Sequence, residues 1–223
     1  MTDLPPHPWV NDEDLGPIKE SWSVNHEDYK VEQSRNYNSK KYFEIPKPYY
    51  GFHHVDLVTG HGDKCNGHYM QWLRNNFADY ERFFDPINQI PHNYSCRQGY
   101  RTPIPEEFYP TAFVEKKSIE YFDSISNEKN PFISFISFPD PHHPFTPPGK
   151  YWDMYDPNDF EFNLNYDSHK NPILPMQRVR QMHLDGIEPK VSTSVFMAEK
   201  RQIQESMALT AGMITMIDDA VGL

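Results

Sequence analysis

Pro131-Phe132-Ile133-Ser134-Phe135-Ile136-Ser137-Phe138 is the stretch on which the reading of this chain turns. It holds no charge and no glycine, and it is rich in the aromatic and β-branched residues that suit a pleated surface, so it predicts a strand. Apolar on both faces, it fits a central strand of a helix-covered parallel sheet better than a half-solvated edge. Asn127 to Asn130 makes a turn before it. Upstream, a helix is expected with Thr111 as N-cap and Val114, Ser118, Tyr121, Phe122 and Ile125 on one face. Helix, short turn and buried strand in succession are the grammar of an α/β domain.

Working outward, Tyr49 to Val58 alternates enough for a short strand, which ends in the loop Thr59-Gly60-His61-Gly62-Asp63. A helix is expected from Gly67 to Phe84, with Tyr69, Trp72, Leu73, Phe77, Tyr80 and Phe84 along one stripe and Asp85-Pro86 ending it. Pro91 to Pro110 reads as a loop. The strongest helix is expected over Val195 to Val221, with Ile203, Met207, Ile214, Ile217 and Val221 on its apolar stripe. The organisation expected is therefore an irregular segment at 1–45, an α/β part at 46–138, a proline-rich extended excursion at 139–200 and a helix at 201–223. A last helix with no following strand suggests an α/β fold cut at both ends.

Composition narrows the function classes. The 223 residues carry a net charge of −11 and a pI near 5.4, which argues against a broad electrostatic footprint for nucleic acid. No apolar run approaches the 18 residues of a membrane span. Met1-Thr2-Asp3-Leu4-Pro5-Pro6 has neither the basic nor the apolar region of a secretory signal; if the start is truncated, the compartment stays open. The 21 prolines demand many irregular connections, while 14 Tyr, 15 Phe and 4 Trp exclude a fully disordered chain. Cys65 and Cys96 form no CxxC pair; a single bridge between them is the one disulfide the sequence allows.

Three features bear on chemistry. After the apolar strand comes Phe138-Pro139-Asp140-Pro141-His142-His143-Pro144-Phe145, two histidines on a proline-stiffened loop at a strand's carboxyl end, where α/β sheets place their ligands. Histidine there can donate to an anionic oxygen or protonate a leaving group. Gly60-His61-Gly62-Asp63, near His53, His54 and His68, allows metal ligation but fits a tight turn held by Asp63 better. Asp218-Asp219, at the unfavourable end of a helix dipole, must be solvated or paired; they allow a carboxylate pair for a metal but fit a helix-end salt bridge better. The aromatic clusters Tyr49-Tyr50, Tyr69, Trp72 and Tyr151-Trp152 could stack on sugar rings, though aromatic core is the commoner use. A Gly-rich phosphate loop, a GxSxG and a nucleophile flanked by a base are all missing.

Taken in order, the pieces resemble the sulfatases of the alkaline-phosphatase-like superfamily. The resemblance runs from Pro48-Tyr49-Tyr50-Gly51-Phe52 through Thr59 to Asp63, His68-Tyr69 and Trp72-Leu73, then Phe132 to Phe145, Pro147-Pro148, Tyr151 and Met154-Tyr155-Asp156-Pro157. It closes with Gly212-Met213-Ile214 and Met216 to Gly222. It implies a partial alkaline-phosphatase-like fold, with a central, mostly parallel sheet flanked by helices, truncated at both ends. It further implies hydrolysis of sulfate esters, small-molecule or glycan, by a formylglycine nucleophile and a divalent cation, usually calcium. On this resemblance His142 is the residue that contacts sulfate and serves as acid, while His143 falls at a variable position and is a second candidate for substrate binding. The Cys/Ser-x-Pro-x-Arg motif that yields formylglycine is not in these 223 residues, and the resemblance places the calcium ligands outside them. No metal is therefore expected to bind this chain alone, which reads as an inactive middle section of such an enzyme. Two alternatives stand beside it: a section of a phosphonate monoester or phosphodiester hydrolase of the same superfamily, and a non-catalytic, aromatic-rich glycan-binding module.

Overall fold

A computed structural model of the chain describes residues 30–162, 171–187 and 195–222. It is mixed α/β, with four α-helices, a number of one-turn 3-10 helices and a two-stranded antiparallel sheet. The chain divides into two compact units, Met1–Gly60 with Cys65–Tyr80, and His61–Lys64 with Glu81–Leu223. The first 29 residues of the expected irregular segment, and 163–170 and 188–194 of the expected excursion, lie outside the described residues.

In the first unit, β1 (Val58–Thr59) pairs antiparallel with β2 (Asn66–Gly67), Val58 opposite Gly67. The strand expected from Tyr49 is much shorter because the chain first folds back on itself. Tyr49 and Phe52 exchange both backbone hydrogen bonds, at 2.9 and 2.8 Å, across Tyr50 and Gly51. Both central residues have positive φ, 47° and 88°. That is the sign pattern of the tight turn whose twist suits a hairpin, and glycine at its second position adopts it freely.

Helix α1 (His68–Asn76) is half the expected length. Phe77 is extended, at φ −134° and ψ 110°, and the Asn76 amide donates back to the Trp72 carbonyl at 2.7 Å. Asparagine competes with the helix through such local bonds, so Asn75-Asn76 stops it. Tyr69 and Leu73 are fully buried. Buried Gln71 binds the preceding segment to the helix: its Oε1 accepts from Phe43 N–H, and its Nε2 donates to the carbonyls of Ser39 and Lys41. Arg74 adds a bond to the Tyr37 carbonyl at 2.7 Å. An irregular stretch is thus ordered by side chains of a helix that satisfy its backbone groups.

In the second unit, α2 (Pro110–Ile125) begins one residue before the expected cap. Tyr109 is the N-cap and Pro110 takes the first helical position, where a fixed φ and a missing N–H cost nothing. Thr111 is instead buried within the first turn. Of the face expected to be buried only Val114 is, and Ile119 and Phe122 are exposed. Helix α3 (Leu174–Leu184) lies in the region read as an extended excursion; none of its side chains is buried, so no apolar stripe announced it.

Helix α4 (Lys200–Val221) opens with a capping box between Glu199 and Gln202. It buries Glu205, Ala208, Leu209, Gly212, Met213 and Met216, a different face from the expected Ile203, Met207, Ile214, Ile217 and Val221. Leu209 and Met213 join Ile104, Tyr109 and Phe113 among the least accessible side chains. A Cβ at Gly212 would lie 2.2 Å from the Tyr151 carbonyl oxygen, so the chain at Tyr151 approaches the helix as closely as glycine permits.

Residues 131–138 are not in a sheet. Phe132, Ile133, Phe135 and Ile136 are 57%, 88%, 59% and 43% exposed, and the segment makes no strand ladder with any described residue. Parallel pairing among the described residues is confined to one isolated bridge, Gly99 with Phe145. Cys65 and Cys96 are both buried, and neither is in a disulfide.

Candidate functional site

The proline-flanked histidines sit where the extended segment ends, within the second unit. Asp140 is buried at its base, His142 is exposed and His143 half-buried. His142 Nδ1–H donates to the His143 carbonyl at 2.6 Å, which fixes the tautomer of the ring. With its proton on Nδ1, the neutral ring offers only a lone pair at Nε2.

The turn at 61–63 belongs to the same unit and lies against this loop. The His61 and His142 rings stack at 3.8 Å and 19° between planes, and His142 and His143 at 4.2 Å and 30°. The approach depends on Gly62, whose φ is +55°; a Cβ there would lie 2.7 Å from the Pro144 carbonyl and 2.8 Å from Thr146 Oγ1. Thr146 Oγ1 accepts from Asp63 N–H at 2.9 Å and shares a hydrogen bond with the Tyr109 hydroxyl at 2.9 Å. Turn, loop and the start of α2 are therefore linked through one buried threonine.

Two carboxyls, Asp63 and Asp140, belong to the same turn and loop. Burial raises the Asp140 pKa to about 7, with the Tyr109 hydroxyl and the Gly62 N–H pulling it back and the Asp63 charge adding to the rise. Neither Asp140 oxygen completes a hydrogen bond, so those two donors face the group without good bonding geometry. Burial also raises Asp63, against the opposing pull of Lys64 and the Thr102 hydroxyl. His143 is pushed down by burial and then by the neighbouring His142 and His61. That disfavours a charge on its ring.

The remaining candidates have structural partners. His68 is buried; its Nδ1 accepts from Leu57 N–H at 2.9 Å, so its Nε2–H donates to the Phe43 carbonyl at 2.9 Å. Tyr42 stacks on it at 4.3 Å. His54 pairs with Asp56 at 2.8 Å. Asp219 accepts from the Tyr151 hydroxyl at 2.7 Å, with Lys150 Nζ 3.6 Å away. The cleft there is lined by Glu106, Glu107, Glu115, Asp218 and Asp219 with Lys150, an acidic setting hostile to sulfate. Tyr69, Tyr151 and Trp152 are core side chains rather than a sugar platform. Among the described residues, no three His, Cys, Asp or Glu side chains are grouped to hold a metal ion.

The loop that carries His142 was legible in the sequence. The partnership of His61 with it was not, because 80 residues separate them; the signal, in retrospect, is the glycine on either side of His61, which lets a turn come close to another backbone. The chain matches no protein-family model and no curated protein sequence.

Proposed function

We propose that this chain carries the sulfate-contact histidine of a sulfuric ester hydrolase of the sulfatase type. One observation carries the reading: the exposed His142 ring, its Nδ1 proton committed to the His143 carbonyl. Such a ring donates from Nε2 only as the imidazolium. In that state it brings positive charge and a directed N–H together, the combination that an oxyanion rewards. The same proton can pass to the ester oxygen as the S–O bond breaks, which makes His142 a general acid for the leaving alcohol. His61, stacked on the ring, restricts its rotation.

On this reading Phe132–Phe138 is a central strand of a mostly parallel sheet, and its neighbours come from outside the described residues. Two apolar faces exposed along one extended segment support that role. The formylglycine nucleophile and the cation ligands would likewise come from other sequence.

Two tests apply. Sequence encoded next to this chain should contain a Cys/Ser-x-Pro-x-Arg motif. In an intact enzyme containing the chain, His142→Ala should lower kcat on an aryl sulfate by about 10²–10³, the scale for one lost transition-state donor or acid. His143→Ala should lower it by less than about tenfold, since its ring is held down in charge. An unchanged kcat in His142→Ala overturns the reading.

A further inference from the structure

The stacked pair at 61 and 142 suggests how an anion would be held, and the inference rests on the sulfate-contact reading of His142. The geometry points to His61 as the second anion-binding histidine, sharing a tetrahedral oxyanion with His142 so that the pair takes up a proton as the anion binds. Neither composition nor the family resemblance selects His61; the stack does. With centroids 3.8 Å apart and planes 19° from parallel, the two rings lie close enough for one sulfate to be shared between them.

The pair is built to stay in place. Gly62 lets the turn approach the loop, and Asp63 N–H anchors it to Thr146. Two imidazolium rings at that separation repel, so the free pair resists double protonation. A dianion at their edges offsets the repulsion and draws the second proton on. Among the described residues, the charged or titratable groups on the same turn, loop and helix start are Asp63 and Lys64, whose ammonium lies over the Tyr100 ring, then Asp140, His143 and Tyr109. Asp63 and Asp140 are both shifted toward the neutral acid, so they offer the imidazoles a weaker counter-charge than two free carboxylates would. His143, shifted toward the neutral base, is the less suitable partner.

The test uses the whole chain, labelled with nitrogen-15, and follows the ring nitrogens of each histidine from pH 5 to 8 in sodium sulfate against sodium chloride at equal ionic strength. Sulfate should raise the titration midpoints of His61 and His142 together and leave His143 little changed. His61→Phe, which keeps a flat ring but no donor, should weaken sulfate binding about tenfold, the cost of one charge-assisted hydrogen bond. His143→Phe should weaken it less than about twofold. If His61→Phe fails to fold, His61→Gln tests the same charge, and there the sulfate-induced rise at His142 should shrink. Movement of His142 alone, or of His142 with His143, overturns the role of His61 and leaves the sulfate-contact reading standing. If no ring distinguishes sulfate from chloride, the shared-anion role of His61 falls, and the kcat of His142→Ala in an intact enzyme still decides the sulfate-contact reading.

Discussion

Asp140, two residues before His142, is 5% exposed, and neither of its carboxyl oxygens forms a completed hydrogen bond. Burial favours its neutral form and raises its pKa from 3.8 to about 7. A carboxyl raised in the folded state binds its proton more tightly there than in the unfolded chain. Its contribution to stability is therefore complete below about pH 4 and is lost as pH rises through about 7. The gap sets an upper bound of about 4 kcal/mol at ~1.4 kcal/mol per pH unit. Asp140→Asn should remove this loss. Protection of the Gly62 and Thr146 amides against hydrogen exchange, corrected for intrinsic rate, should fall between pH 5 and 8 in the parent and stay level in the variant. Glu205 is the opposite case, a buried carboxylate that is fully used. Its Oε2 accepts from the N–H groups of Ser95 and Cys96, both at 2.7 Å, and from the Ser95 hydroxyl, while Oε1 meets Arg201 Nε at 2.9 Å. Glu205→Ala leaves two backbone donors stranded beside α4. It should cost about 3 kcal/mol or more, read as lost exchange protection at the Ser95 and Cys96 amides.

That carboxylate also explains what could and could not be read at the scale of elements. Helix α4 was legible as a helix because apolar residues recur at helical spacing along all of it. Its buried face was not, because two apolar stripes compete in the sequence. Ile203, Met207, Ile214, Ile217 and Val221 look the more hydrophobic, yet the face that holds Leu209 and Met213 wins. It also carries Glu205, whose bonds to residues 95–96 are invisible to periodicity, and Gly212, which admits the Tyr151 backbone. The contrast can be measured. Leu209→Ala should destabilise the second unit by about 2–5 kcal/mol, the range for a buried leucine. Ile214→Gln, at a position 52% exposed, should stay within about 0.5 kcal/mol. Equal effects would place the wrong face inward. Helix α1 was overrun at its C-terminal end for a similar local reason, since Asn76 bonds back to Trp72 where the aromatic pattern alone continues. In the site, the sequence marked the His142 loop through its prolines and its position after the apolar strand, while the stack on His61 is a tertiary contact that no local pattern encodes.

For the whole molecule the decisive feature is an apolar segment left open to solvent. Pro131–Phe138 is uncharged, free of glycine and rich in residues of high β-propensity, and most of its large side chains face solvent. Phe122 of α2 extends the patch, its ring 6.0 Å from that of Phe132. A segment of this kind, with backbone donors and acceptors along both edges, is a template for pairing with another strand. The net charge of −11 opposes close approach of two copies, but that repulsion is screened over about 10 Å at 0.1 M salt. The isolated chain should therefore associate with itself increasingly as salt is added, and it should bind an environment-sensitive apolar dye and melt without a sharp transition. Ile133→Lys tests whether this segment is responsible. Ile133 is 88% exposed, so its loss removes little packing, while a lysine there sets like charges against each other in any in-register pair. Sedimentation velocity in 0.3 M salt should show the parent as a spread of oligomers and the lysine variant shifted toward monomer. A parent that sediments as a monomer and melts sharply would mean that this segment needs no neighbouring strand, and with it would go the reading of Phe132–Phe138 as the centre of a larger sheet.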